Sequence, residues 1–370
     1  MTTLAAPAEL FGFLRFRSRG PRTAIGVEAG ERRIRTASRR SRDGTRGWSL
    51  ASLESENGDG ETGGKRGAHR REREEARRRG LPRGRAICAI SSPAVDIFPV
   101  TLHRNENDPL DAQVVRQAGD HLGDRLGESV LDYATPPEEI WRPGDDAVPA
   151  LVFAARRELV DGLLTRLERT GLQAERLVTP ACALAPHVAG AGPGVRHLLI
   201  ATGEEATSVS VVENGTVLLE RMLSWGFDGL RNRLRGVLEL DDNQSRFLLA
   251  AGSRAIDGEE GDGEEIDPEG TMKSALRQVL EPDFQVLARE ASGCLGYANS
   301  FFRSAGTEAA VLAGALAEND DLRRFLERGL GMPVLGPEKG LRLPGFRGSG
   351  SAAPFVTAAG CALWPEENGR

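Results

Sequence analysis

The chain is short of aromatic residues, of cysteine and of long apolar runs, and each shortage removes a class of function. Aromatic residues make up 5% of the 370 residues, too few for a platform on which nucleic-acid bases stack. The four cysteines, Cys88, Cys182, Cys294 and Cys361, stand far apart. No pair has metal-type or redox-type spacing, so they read as small buried residues of a reducing compartment. No run of about 18 apolar residues occurs, so no membrane-spanning helix is expected. In Met1–Arg19 the arginines follow the apolar patch, the reverse of a secretory signal, and cytoplasmic residence is the expectation. The histidines His69, His103, His121, His187 and His197 are scattered. None pairs at helical metal spacing, and no Ser, His and Asp form a nucleophilic set.

What is present points to a chain of two or three domains with real cores. The apolar share is 39%, with 45 glycines and 20 prolines to make turns. Charge is uneven. Residues 1–85 carry 21 Arg and Lys against 11 Asp and Glu, whereas the rest of the chain is acidic enough to bring the net charge to −6. The basic end reads as a solvated face. Arg70–Arg79 contains Glu72, Glu74 and Glu75 and no interleaved aromatics, so nucleic-acid binding is not expected of it. Phe11–Phe16 is aromatic and basic, but too short to anchor the chain to a membrane alone.

Patterning divides the chain. Residues 1–22 read as a mobile leader. Residues 23–102, rejoined by 179–195, form a first lobe: a β-type run at Thr23–Val27, a returning strand at Ile34–Ala37, a third at Trp48–Leu53, a flexible Gly-rich loop at 55–68 and a buried strand at Ala86–Ile90. Residues 103–178 read as an inserted subdomain, with helices at Asp111–Leu126 and Arg157–Thr170 and a strand at Ala150–Ala154. Gly171 is the expected stop of the second helix. Residues 196–365 read as a second lobe, opening with strands at His197–Ala201, Ser208–Val212 and Val217–Met222. Asn214-Gly215 between the last two is a strong hairpin signal. Ser274–Phe302 is helical with an expected interruption near Glu281–Asp283. The acidic segment 256–270 does not fall into calcium-loop register and reads as disordered. The strand, Gly-containing turn and returning strand at 23–37 recur at 197–222, a weak internal repeat. It predicts two sheet-plus-helix lobes facing each other across a cleft.

Several segments, taken in order, resemble one family. Ile25-Gly26-Val27-Glu28-Ala29-Gly30 resembles a first phosphate-type turn, I-G-x-D-x-G. Val148–Ala185 resembles the family's strand, helix, Ala-Gly-Leu-type stop and second strand. Gly215–Gly226, Leu280–Phe302 and Phe325–Val334 match further segments. Together, over roughly residues 23–365, they resemble the PilM family of type IV pilus assembly proteins, relatives of FtsA and of the cytoplasmic region of GspL. The resemblance implies an α/β, two-lobed actin-like (ribonuclease H-like) fold with a small inserted α/β subdomain in the first lobe. It implies a cytoplasmic scaffold of a type IV pilus or type II secretion machine, peripheral to the inner membrane. The partner implied is a bitopic PilN-like protein, gripped by its N-terminal peptide, with a motor ATPase as a further candidate. Val152, Phe153, Ala154 and Arg156 are the candidate groove residues for that peptide.

The resemblance also places a nucleotide site, at Gly26, Glu28, Gly30, Thr202, Gly203, Gly226 and Gly314, and the departures gather there. Glu28 replaces the usual Asp of the first turn, and Glu31 and Arg32 replace small hydroxyls. In the second turn, Ala201-Thr202-Gly203-Glu204-Glu205, the carboxylate is lost at Ala201 and two anions stand where phosphate is expected. Ala313-Gly314 replaces a Gly-Gly pair, and Arg246 and Leu249 lie near the positions of a Glu and a Lys. Like charge beside a polyphosphate opposes binding. The expectation is a degenerate site, with ATP and Mg²⁺ bound weakly or not at all, no metal site and no catalysis. Two alternatives remain open: an active ATP-binding enzyme of the sugar-kinase or chaperone kind, and an FtsA-like filament protein.

Overall fold

The computed structural model describes residues 25–42, 45–54, 65–104, 107–138, 140, 147–190, 194–252, 268–302 and 306–364. The leader 1–22, most of the 55–68 loop and the acidic segment up to residue 267 lie outside them. The first half contains β1 (Ile25–Ala29), β2 (Arg33–Arg42), β3 (Thr45–Glu54), α1 (Lys65–Arg78), β4 (Gly84–Ile90), β5 (Val95–His103), α2 (Leu110–Leu122), β6 (Ser129–Ala134), β7 (Ala147–Arg156), α3 (Arg157–Thr170), β8 (Leu172–Val178) and α4 (Pro180–Leu184). The second contains β9 (Arg196–Thr202), β10 (Thr207–Glu213), β11 (Thr216–Leu223), α5 (Phe227–Leu238), α6 (Asp242–Ala251), α7 (Pro268–Phe301), β12 (Thr307–Gly314), α8 (Asp320–Leu330), β13 (Val334–Leu335), α9 (Pro337–Gly340) and α10 (Val356–Ala362).

Two five-stranded sheets carry the same topology, β3-β2-β1-β4-β8 and β11-β10-β9-β12-β13. In each, two antiparallel hairpin strands lead into parallel neighbours, so β1 corresponds to β9, β2 to β10 and β4 to β12. The sequence repeat is therefore a repeat of sheet construction. Asn214 (φ 47°) and Gly215 (φ 75°) both adopt the left-handed conformation that a tight hairpin between β10 and β11 requires. Both sheets bury near-continuous Val, Ile, Leu and Ala runs, as strands covered on two faces must.

A third sheet, β5-β7-β6, forms a small separate layer with α2 packed on it through Val114, Ala118 and Leu122. This corrects the borders expected for the insert. β5 begins at Val95, ahead of 103, while β8 pairs in parallel with β4 (Gly84↔Leu172) and belongs to the first sheet. α3, just before β8, belongs to the first lobe as well, packing Val160, Leu163 and Leu167 into the first core. The insert is thus 95–156. Nothing local in Leu172–Val178 distinguishes a strand of one sheet from a strand of another, because pairing is a long-range choice.

A second correction concerns 196–365. α10 packs mainly on the first sheet, across β1, β2 and β4 beside α4, although Val356, Ala358 and Ala359 also share a core cluster with Leu199, Ala201, Val311 and Ala313 of the second sheet. Gly26 makes this approach feasible, since a Cβ there would stand 1.8 Å from the Ala358 carbonyl oxygen. A third concerns α7, which runs unbroken through Pro282. Leu276, Leu280, Phe284, Leu287, Ala291, Cys294 and Ala298 are all buried in the second core at spacings of three and four. That stripe continues through the proline and outweighs the missing N–H.

Candidate functional site: the cleft between the two sheets

The ends of β1 and β9 face each other, and each runs into a four-residue turn of the same design. Gly30 N–H donates to the Arg33 carbonyl (3.0 Å) and Gly203 N–H to the Ala206 carbonyl (2.9 Å). The correspondence makes Glu28 the counterpart of Ala201, and Glu31-Arg32 the counterpart of Glu204-Glu205. One side of the cleft therefore keeps a carboxylate at the strand end and the other has a methyl group, 3% exposed.

The two turns are joined by charge. Backbone N–H groups of Glu31 and Arg32 donate to the two carboxylate oxygens of Glu205, at 2.6 and 2.7 Å. Gly30 leaves room for that carboxylate, because a Cβ there would sit 2.9 Å from Glu205 Oε2. Beside it, Glu204 Oε1 takes Arg33 Nη1 at 2.9 Å and a short contact from Arg35. Arg33 and Arg35 reach the same carboxylate because residues two apart on a strand share a face. Arg35 also faces Glu28 at 3.8 Å and lies over the Phe355 ring, 6.0 Å from its centroid. Glu204 Oε2 is buried with no hydrogen-bond partner among the described residues. Arg166, on α3, donates to the Gly30 and Glu31 carbonyls and supports the first turn from behind.

Burial sets the electrostatics. Glu28 is 5% exposed. Desolvation pushes its pKa up to about 7, against the pull of Arg35 and of a hydrogen bond with Ser91, and Glu205 adds to the rise. Desolvation also lowers Arg35, opposed by Glu28, and lowers Arg166.

Thr202 and the carbonyls of the second turn are tied to neighbouring segments of the second lobe. The Thr202 hydroxyl donates to the Ala313 carbonyl (2.8 Å) and accepts from Leu316 N–H (2.9 Å). Ala315 N–H donates to the Thr202 carbonyl at 2.8 Å. At the start of α5, Phe227 N–H and Asp228 N–H donate to the Gly203 and Glu204 carbonyls at 3.0 and 2.9 Å. The glycines serve these contacts. A Cβ at Gly226 would meet the Glu204 carbonyl oxygen at 2.6 Å, one at Gly203 the Ser91 hydroxyl at 2.4 Å, and one at Gly314 (φ +91°) the Thr202 carbonyl oxygen at 2.1 Å. Of the seven site residues expected from sequence, six gather at the cleft; Gly26 instead faces α10. Arg246 pairs with Asp242 on its own helix (2.9 Å), and Leu249 is core.

The groove candidates divide. Val152 and Ala154 are buried under α2, and Phe153 is buried against the second-lobe core. These three cannot present a docking surface, a correction to the expectation; a fully apolar central strand is core first. Arg156 is exposed and lines an open cavity of about 550 Å³ with Glu72, Glu158 and Arg166. Sequence reasoning missed Arg33, Arg35, Ser91 and Arg166. Arg33 and Arg35 do leave a signal, since they alternate with Ile34 and Thr36 on a strand covered on both faces.

The arrangement is that of a two-lobed actin-like fold. No protein-family model matches the chain. Among solved structures, it is similar to a chain of a PilM–PilN type IV pilus biogenesis complex, with 22% identity, 92% of this chain and 98% of that chain covered, and a TM-score of 0.66. It is also similar to ethanolamine utilization protein EutJ from Carboxydothermus hydrogenoformans, with 15% identity, 94% and 91% coverage and a TM-score of 0.49. A third match is the cytoplasmic domain of EpsL, an inner-membrane component of the Vibrio cholerae type II secretion system, with 9% identity, 55% and 71% coverage and a TM-score of 0.36. Among the described residues no helix is long and apolar enough to cross a membrane.

Proposed function

We propose that the chain is an actin-like scaffold of a type IV pilus or type II secretion machine, working at the cytoplasmic face of the inner membrane. Its partner would be a bitopic, PilN-like membrane protein held by its N-terminal peptide, with a motor ATPase as a second contact. In this reading it is not an enzyme. The likeness to a chain of a PilM–PilN complex over nearly the whole of both chains is the support for the partner class.

The observation that carries the nucleotide half of the reading is the Glu205 carboxylate on the N–H groups of Glu31 and Arg32. A bound polyphosphate needs such N–H donors, a carboxylate or hydroxyl to place Mg²⁺, and glycines that let it approach. Here the first-turn donors Glu31 N–H and Arg32 N–H are taken by Glu205, Ala201 stands where the second-turn carboxylate is expected, and the glycines accommodate protein atoms. The residues present do not fit Mg-nucleotide.

Isothermal titration of the full chain with Mg-ATP tests this half, and titration with the cytoplasmic N-terminal peptide of a PilN-like protein tests the other. The expected result is no heat with ATP and saturable heat with the peptide, unchanged by added ATP. Micromolar ATP binding or magnesium-dependent turnover would instead favour an active ATP-binding protein.

A further inference from the structure

The contacts between the two turns are of the kind a polyphosphate would make, and they are made by a dipeptide. Each lobe contributes one half. The first supplies two adjacent N–H groups and the guanidinium groups of Arg33 and Arg35; the second supplies two adjacent carboxylates. Two N–H groups converging on one carboxylate form a charge-assisted pair of hydrogen bonds, and successive N–H groups in a turn make a concave anion site. The lobes lie 169 to 174 positions apart in sequence at these contacts.

We propose that Glu204-Glu205 is a tethered anion that occupies the phosphate position of the cleft and holds the two lobes together. This rests on the reading of the cleft as free of nucleotide, and adds what takes the nucleotide's place. In an ATP-dependent relative of this fold, closure would depend on ligand concentration. In this chain the anion is part of the second turn, so closure is intramolecular and its effective concentration is fixed by the fold. Gly30 and Gly203 belong to the device, since a side chain at either would push the turns apart. Glu28 lies beneath it, close enough to Glu205 to feel its charge.

Three features separate this from an incidental surface ion pair, which would contribute little. Arg35 and Glu204 are both buried, with side chains 7% and 8% exposed. The Glu205 carboxylate meets backbone donors, so no rotamer change on the first lobe releases it. The carbonyls of Gly203 and Glu204 also cap the first N–H groups of α5, which fixes the dipeptide in place. Removing one partner of such a set leaves buried groups without a counter-charge.

The test is hydrogen exchange of the full chain, read at the Glu31 and Arg32 amides, in wild type, Glu205→Ala, Glu205→Gln and the double variant Glu204→Ala/Glu205→Ala. Glu175→Ala, which removes a surface pair with Arg85, is the control. The expected result is at least a tenfold faster exchange in Glu205→Ala, a smaller gain in Glu205→Gln, which retains one acceptor oxygen, and none in the control. Small-angle scattering of the double variant should show a larger radius of gyration. Inorganic pyrophosphate should restore protection and compactness in the double variant while leaving wild type unchanged. Unaltered amide exchange in Glu205→Ala and Glu205→Gln, in a wild type that binds no Mg-ATP, would overturn the tethered anion and leave the nucleotide-free reading standing. Binding of Mg-ATP by wild type, with added protection at the same amides, would overturn both. If the double variant does not fold, the Glu205→Gln exchange and the indifference of wild type to pyrophosphate decide the question.

Discussion

Glu28 and Glu220 are acids held where water does not reach. Glu220, on β11, accepts from the Thr179 hydroxyl at 2.5 Å and the Ser208 hydroxyl at 2.6 Å, tying the start of α4 to the second sheet. Burial raises its pKa to about 7, the same value as Glu28. Between the ordinary value of 4.5 and about 7, the folded chain holds a proton at Glu28 that the unfolded chain has released. Stability from this residue is therefore complete below the lower value and is lost as pH rises through the upper one. The span corresponds to about 3 kcal/mol. Glu28→Gln should flatten the fall in urea midpoint between about pH 4.5 and about pH 7, and an unchanged profile would show that Glu28 stays hydrated. These residues were partly legible. Glu28 announces itself at a strand end before a glycine turn, and the swap of Ala201 for a carboxylate is visible once the repeat is aligned. The pairing of Glu205 with backbone N–H groups is not, because it joins residues 173 and 174 positions apart and no local pattern records it.

At the level of the element, α7 shows which signals prevail. A proline in a helix interior removes one hydrogen bond and crowds the preceding turn, a cost of about 3 kcal/mol. Locally, Glu281-Pro282-Asp283 reads as a break. The buried stripe from Leu276 to Ala298 is the stronger term, since each large apolar side chain contributes about 2 kcal/mol on burial. Pro282 itself is exposed. Pro282→Ala should therefore stabilise the protein by about 1–3 kcal/mol without altering the core, read as a higher urea midpoint with unchanged slope. The same contrast explains the rest of the element reading. Hairpins at 25–42 and 207–223 and the helix stop at Gly171 follow from local chemistry and were legible. The assignment of β8 to the first sheet, the early start of the insert at Val95 and the buried state of Val152, Phe153 and Ala154 depend on partners far away in sequence.

At the level of the molecule, the first sheet is not finished by the first half of the chain. Its strands end with β8 at Val178, but one face waits for α10. Val356, Ala358, Ala359, Cys361 and Ala362 are all buried, with Gly26 on β1 cut back to admit them. A chain ending at residue 348 should therefore lose cooperative unfolding of the first lobe and not merely a tail. Circular dichroism with heating would show a broad or absent transition; a sharp transition matching the full chain would mean that α10 is dispensable.

The placement of α10 has a consequence for the order of events at the ribosome. Translation proceeds at about 5–20 residues per second, so roughly 20–70 s separate the first strand from the last helix. The sheet has all five strands once β8 ends at Val178, and from then until α10 is made, roughly 10–40 s at that rate, it has an uncovered apolar face and an empty glycine groove. The cell's holding chaperones have that long to find it, and any second nascent copy on the same message has that long to offer its own finished helix instead. A fold that closes its beginning with its end thus makes the rate of synthesis, and the spacing of ribosomes, part of what decides whether one chain completes itself or two chains complete each other.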